Sequence, residues 1–369
     1  MIISTIQISN FRNFRRKNFS FSPKTTVIVG PNTSGKTNIF EAMFLLSSGK
    51  SFKAQVEEEM IAYGQEIGRV NGEFAKPEMK LEVVLTRGEI TVGQDPEKTE
   101  RVPKKRLLLN GIGKRLIDFA GNFKAVLFGP WDLELVTESP SVRRKFLDTL
   151  LSQVDREYRR ASLSYEKGLR QRNKLLYRIR EEGLSRTQLH FWDRLLIKNG
   201  DYISQMREEL INFANNKGKL PARNRYAQSV AGGNDQDFSL EYDKSAISEA
   251  RLEQYAEEEV AAATTLVGPH RDDFCFRLKK NKRTRDLSRY GSRGEQRMGV
   301  LWLKLAELTY VEEKTDEKPT LLLDDIFSEL DHEHREVVMN AVGSQQTIIT
   351  TADPHFVEDL KNVEKIKLD

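Results

Sequence analysis

An α/β fold with an inserted helical arm is what this sequence predicts, and three observations predict it. A β-branched run, Thr25-Thr26-Val27-Ile28-Val29, passes through a glycine-rich loop into an apolar helical stretch at Asn38–Ser47. A second apolar run, Leu321-Leu322-Leu323, sits near the far end of the chain and ends in two carboxylates. Between them, residues 138–260 are helical in pattern and rich in Lys and Arg. The expected division is therefore a discontinuous α/β domain, 1–137 with 261–369, and a helical arm, 138–260.

The first part reads as strands of a mixed sheet. Ile2–Ile8 and Thr25–Val29 come first, followed by shorter candidates at Leu81–Leu85, Arg106–Leu109 and Ala125–Phe128. The texture changes at Glu138-Ser139-Pro140, where Ser139 is placed to cap a helix with Pro140 in its first position. Val142, Phe146, Leu147, Leu150, Leu151 and Val154 then recur at helical spacing, which leaves Arg143, Arg144 and Lys145 outward. Helical patterning continues through Tyr158–Arg180 and Gln188–Ala214, with interruptions expected at Gly183, Gly200 and Pro221. A polar break at Gly232-Gly233-Asn234-Asp235 leads to an acidic helix, Glu249–Glu259. Strand patterns return at Asp273–Leu278, Leu321–Leu323 and Thr347–Thr351.

With 369 residues the chain is long enough for two domains with real cores, and 31% charged residues imply a heavily charged surface. Cys275 is the only cysteine, so no intramolecular disulfide can form and a reducing compartment is expected. The start, Met1-Ile2-Ile3-Ser4-Thr5-Ile6, is too short and polar for a signal peptide. No stretch approaches the ~18 apolar residues of a membrane span, so a cytoplasmic protein without a membrane partner is expected. His332, His334 and His355 do not make a convincing metal cluster, and His270 receives no role. The net charge of +4 hides an asymmetry: residues 141–225 hold 20 Lys and Arg against 10 Asp and Glu, leaving 39 against 45 elsewhere. That excess points to a polyanion-binding region.

Gly30-Pro31-Asn32-Thr33-Ser34-Gly35-Lys36-Thr37 has the G-x-x-x-x-G-K-[ST] form between a strand and a helix. Its backbone N–H groups are suited to cradling the phosphates of ATP. Lys36 would reach the β- and γ-phosphates, and the Thr37 hydroxyl would ligate magnesium. A magnesium-holding carboxylate should end a buried strand, which makes Asp324 the candidate. Asp325 is placed to polarise an attacking water.

Tyr290-Gly291-Ser292-Arg293-Gly294-Glu295-Gln296-Arg297, ahead of the apolar helix Met298–Val311, resembles the signature motif of ABC-type ATPases. The resemblance implies that Ser292 and the backbone near Gly294 grip the nucleotide of an opposite subunit. Ile326-Phe327-Ser328-Glu329-Leu330-Asp331 resembles the D-loop of that class, and Thr347–Thr351 ends where the class has its switch residue. The whole chain resembles the bacterial RecF recombination family, a relative of SMC-type ATPase heads. The runs that carry this are Asn10-Phe11-Arg12-Asn13, Leu45–Phe52, Gly129–Gln153, Gln171-Arg172-Asn173, Gly268–Asp273 and Leu321–Asp331. The fold implied is an ABC/SMC-type ATPase head with an arm. The function implied is an ATP-dependent homodimer on double-stranded DNA near single-strand gaps, with slow ATP hydrolysis, acting with RecR and RecO to help RecA onto DNA. By analogy with SMC-type heads, Arg12 lies near the nucleotide.

Some positions depart from the pattern. Thr33 stands where such loops often carry Gly, Arg293 and Glu295 depart from the commoner Gly and Gln, and Asp325 is shorter than the usual Glu. No Q-loop glutamine is assigned; Phe128–Asp132 is the nearest segment. Arg143, Arg144, Lys145, Arg159, Arg160, Arg172, Lys174 and Arg178 are the expected phosphate contacts on DNA, which would be salt-dependent and largely sequence-independent. The neighbouring aromatics Tyr158, Tyr165, Tyr177, Phe191 and Trp192 are expected to pack the helical core. The alternatives are an ABC-type ATPase or an SMC-like tether acting on a partner other than DNA. A tether needs sustained heptads, whereas this arm is broken by Gly and Pro.

Overall fold

A computed structural model of the chain describes residues 1–91, 98–216, 237–280, 283–328, 330, 335, 338, 342, 344–357 and 363–368. Pro221, the 232–235 break, Glu329, Asp331, His332 and His334 lie outside the described residues. The chain divides into two compact units, Met1–Asp132 with Val311–Asp369, and Leu133–Tyr310. The sequence reading assigns 261–310 to the discontinuous domain; the structure groups them with the arm unit. The reason is pairing: Asp273–Lys280 forms a three-stranded sheet with Asp237–Asp243 and Arg283–Asp286, and joins none of the sheets of the first unit.

The first unit keeps its parallel and antiparallel strands apart. Six antiparallel strands run in the order Phe14–Ser20, Ile2–Phe11, Ile67–Lys76, Glu78–Thr86, Lys105–Leu109 and Ile112–Lys114. Five parallel strands run in the order Ala125–Phe128, Thr320–Asp324, Thr347–Thr351, Thr25–Val29 and Val363–Lys367. Three of these parallel strands read as uninterrupted buried runs, as strands covered on both faces should. The helix Lys36–Ser48 contacts both sheets, which explains why Ile39–Ser47 is buried all round rather than on one stripe. Two strands have little sequence signal. Ile67–Lys76 has an alternation interrupted by Gly68, Asn71 and Gly72, and the edge strand Phe14–Ser20 exposes Arg15, Arg16, Lys17 and Asn18.

In the second unit the helices Pro140–Val154, Arg156–Glu182 and His190–Asn215 follow in sequence, the last two forming an antiparallel hairpin. Gly183 ends the second of them in the left-handed conformation, as expected. Gly200 does not interrupt the third. It marks a close approach, where a Cβ would lie 2.7 Å from Ile247 and 3.2 Å from Pro269. Pro140 is at a helix start, but the Ser139 hydroxyl lies 2.7 Å from Ser141 Oγ and makes no cap bond. The acidic helix is two short ones, Glu249–Gln254 and Ala256–Ala262, split at Tyr255.

Candidate nucleotide site

The phosphate loop leaves strand Thr25–Val29 and opens helix Lys36–Ser48, so its backbone reverses sharply at Gly35, φ +99°. A side chain there would be strained and would put a Cβ 2.6 Å from the Asn13 amide. Thr33 has φ +77°, a conformation that costs a β-branched residue about 1–2 kcal/mol and explains why Gly is commoner in such loops. Thr33 is exposed. Lys36 is buried and folds back, donating to the carbonyls of Gly30 (2.7 Å) and Pro31 (2.8 Å). Burial lowers its pKa, and Asp325 and Asp324 oppose that shift. The Ser34 hydroxyl is buried in the loop and has no hydrogen-bond partner among the described residues.

The two halves of the site meet in space. Asp324, buried at the end of strand Thr320–Asp324, accepts hydrogen bonds from the hydroxyls of Thr37 and Thr350. Burial holds its pKa above the usual carboxylate range; the two hydroxyls and Lys36 oppose this, while Asp325 adds to it. A buried carboxylate held beside a helix-start hydroxyl is a donor set that magnesium fits. The Ser34 hydroxyl and a lysine resting on its own loop carbonyls complete a cradle that fits phosphates. Asp325 has φ +50° and its N–H donates to the carbonyl and hydroxyl of Thr350, which fixes the turn that follows the strand.

Sequence reasoning missed what braces the loop. Asn13 donates to the Ser34 carbonyl (3.2 Å) and accepts from Asn38 (2.9 Å), tying the first β-hairpin to the loop and its helix. Its sequence signal is its place in the Asn10–Asn13 turn, where Asn10 and Arg12 have positive φ. Arg12 is not free to reach a phosphate with all its donors. It makes a bidentate pair with fully buried Glu41 (2.7 and 2.6 Å) and donates to the Glu59 carbonyl, so its observed role is to anchor the hairpin. Ser51 donates to the same Glu41, and Phe52 stacks on Trp131 with centroids 4.9 Å apart, joining the Leu45–Phe52 and Phe128–Asp132 runs.

In the second unit, Ser292 precedes helix Arg293–Thr315 and forms a capping box with Glu295. The Ser292 N–H donates to Glu295 Oε2 (2.9 Å), and the Glu295 N–H donates to Ser292 Oγ (3.2 Å). The S-x-x-E spacing carries that signal. Ser292, Arg293 and Gly294 are exposed, and among the described residues beyond the helix's own backbone the nearest atom to a Cβ at Gly294 is Ser292 Oγ, at 4.0 Å.

The eight basic candidates separate into groups. Arg143 and Arg144 are not outward. Arg143 is bidentate on Asp273 and donates to the Glu138 carbonyl, and Arg144 donates to the Asp272 carbonyl. Arg172 is buried among Asp193, Thr265 and Glu259. Arg159 donates to the Ser152 carbonyl. Arg160 and Arg178 pair with Glu157 and Glu182 on their own helix, and Lys145 and Lys174 are exposed. Arg207, which sequence reasoning passed over, is a buried hub held by Asp148, Asp272, Tyr158 and the Pro269 carbonyl. His270 is likewise internal, between Tyr165 (2.8 Å) and the Thr265 carbonyl (3.0 Å), and burial lowers its pKa to about 4. Tyr158 and Tyr165 pack the core as expected, whereas Tyr177 and Phe191 are exposed. No helix among the described residues is long and apolar enough to cross a membrane.

Residues 2–369 match the RecF/RecN/SMC N terminal domain. The DNA replication and repair protein RecF of Herpetosiphon aurantiacus is 35% identical, with 98% of this chain and 97% of the relative covered. RecF of Lachnoclostridium phytofermentans is 32% identical, with 99% and 97% covered. A solved structure described as the recombination mediator protein RecF-ATPrS in the RecFOR pathway superposes with TM-score 0.83 at 30% identity, covering 100% of this chain and 97% of that one. The Smc head domain of Pyrococcus furiosus shares the fold at TM-score 0.53 and 15% identity. With an ATPase-head fold, a phosphate loop closed by Asp324 and this similarity along its whole length, the chain belongs to the RecF family.

Proposed function

We propose that the protein is an ATP-dependent DNA-binding recombination mediator that dimerises on double-stranded DNA near single-strand gaps and helps load RecA with RecR and RecO. The observation that carries the reading is the joining of Thr37 and Asp324, which makes one nucleotide site from the two ends of the chain. Relatives named as DNA replication and repair proteins, and neighbours described as RecF-ATP in the RecFOR pathway, support it. The loop N–H groups and the helix start bind the phosphates, and Lys36 moves from the Gly30 and Pro31 carbonyls onto the β- and γ-phosphate oxygens. Thr37 and Asp324 would hold magnesium, whose charge neutralises those oxygens. Asp325 orients and polarises the attacking water. Ser292 and the Gly294 backbone take the γ-phosphate of a second protomer, so ATP favours the dimer and ADP releases it. The family-like domain division, a head made from the two chain ends with an arm at 138–260, is carried as the functional division even though the compact unit spans 133–310.

The test is ATP turnover per protomer against protein concentration, with and without double-stranded DNA. Turnover should rise with concentration, and at lower concentration when DNA is present. Ser292→Arg should bind ATP yet remain monomeric. Turnover flat in both variables would point instead to an ABC-type ATPase or tether with self-contained sites and a partner other than DNA.

A further inference from the structure

The start of the signature helix already holds an anion, and that anion is the chain's own. Glu295 Oε2 accepts the Ser292 N–H at 2.9 Å, while Oε1 lies 2.5 Å from Arg285 and 3.3 Å from Lys280. Burial pushes the Glu295 carboxyl up, but the Ser292 N–H, Lys280 and Arg285 outweigh it and hold it below the usual range. The turn beside it, Ser292 to Gly294, is exposed, and among the described residues, the helix's own backbone and chain neighbours aside, the nearest atom to a Cβ at Gly294 is Ser292 Oγ at 4.0 Å. The helix is 23 residues long, so its first turn carries a fully developed dipole that favours an anion.

We propose that Glu295 is a built-in competitor for the γ-phosphate: its carboxylate occupies the Ser292 N–H that the phosphate of a partner's ATP would use, and so sets a threshold for ATP-dependent dimerisation. This rests on the reading of Ser292 and Gly294 as the half-site that meets a partner's nucleotide. Two cations flank one carboxylate, so the trio carries a formal charge of +1 with Glu295 ionised, and +2 without it. Arg285 and Lys280 also give the carboxylate somewhere to go. Turning both oxygens towards them frees the Ser292 N–H while keeping Glu295 paired. Dimer closure then requires a change of hydrogen-bond partner at each site, which a neutral side chain would make less costly.

Glu295→Gln isolates the charge, because Gln is also accepted at the third position of a capping box. Dimerisation would be followed by sedimentation across protein concentration with a slowly hydrolysed ATP analogue and with ADP, for the wild type, Glu295→Gln, Glu295→Ala and Ser292→Arg. Both Glu295 variants should dimerise at a protein concentration at least about tenfold lower with the analogue, since a unit charge ~5 Å from a phosphate acts on that scale. Neither should shift with ADP, which has no γ-phosphate. If both Glu295 variants match the wild type while Ser292→Arg stays monomeric, the competitor role is wrong and the shared site stands. Equal shifts with analogue and ADP would also overturn it, because the charge would then act on the interface and not on the phosphate. Normal dimerisation of Ser292→Arg would remove the shared site and this inference with it.

Discussion

The phosphate loop and the helical unit use polar residues in opposite ways. In the loop, the Ser34 hydroxyl has no hydrogen-bond partner among the described residues, Lys36 rests on main-chain carbonyls, and the Thr37 hydroxyl donates to Asp324. In the helical unit, arginines of the basic stretch are bound to carboxylates: Arg143 to Asp273, Arg172 to Asp193 and Glu259, Arg207 to Asp148 and Asp272. The first arrangement leaves donors for a ligand, and the second uses them to join helices to strands and loops. A local excess of Lys and Arg therefore says little about a surface until their carboxylates have been located.

Three variants test that contrast, the largest effect first. Lys36→Met removes two charge-assisted hydrogen bonds to phosphate, each worth about 1.5–3 kcal/mol, so ATP affinity should fall more than about a hundredfold without loss of fold. Calorimetry showing near-normal ATP binding would end the phosphate-loop assignment. Arg172→Ala leaves Asp193 and buried Glu259 without their cation and should destabilise the protein by about 3–5 kcal/mol in chemical denaturation. A normal denaturation midpoint together with weakened DNA binding would show that Arg172 faces the ligand after all. Lys145→Ala with Lys174→Ala should leave stability within about 0.5 kcal/mol, because both are exposed. The same pair should lower DNA affinity and reduce the slope of log affinity against log salt by about 0.9 for each phosphate no longer neutralised. An unchanged slope would take these two lysines out of the DNA surface.

The legible parts of the chain are those whose chemistry is local. Thr25–Val29, Ala125–Phe128 and Thr347–Thr351 are legible at their observed bounds because strands buried on both faces carry dense apolar or β-branched signals. The loop is legible because its spacing is imposed by backbone geometry at Gly35 and by the position of Lys36. Ile67–Lys76 is not, because its alternation is interrupted at Gly68, Asn71 and Gly72. Gly200 reads wrongly as a break because glycine has the same appearance in a sequence whether it ends a helix or lets Ile247 and Pro269 approach it.

By itself, then, the sequence determined the α/β class, the phosphate loop, the candidate carboxylates and the helical character of the middle, all of which depend on patterns within a few residues. The tertiary structure alone decided that Asp324 meets Thr37, that Arg12 is held by Glu41, and that 261–310 packs with the arm unit. It also decided which arginines are internal. Those facts depend on which distant groups become neighbours, and burial makes each such pairing obligatory: an ionised side chain removed from water must find its counterion wherever the chain brings one.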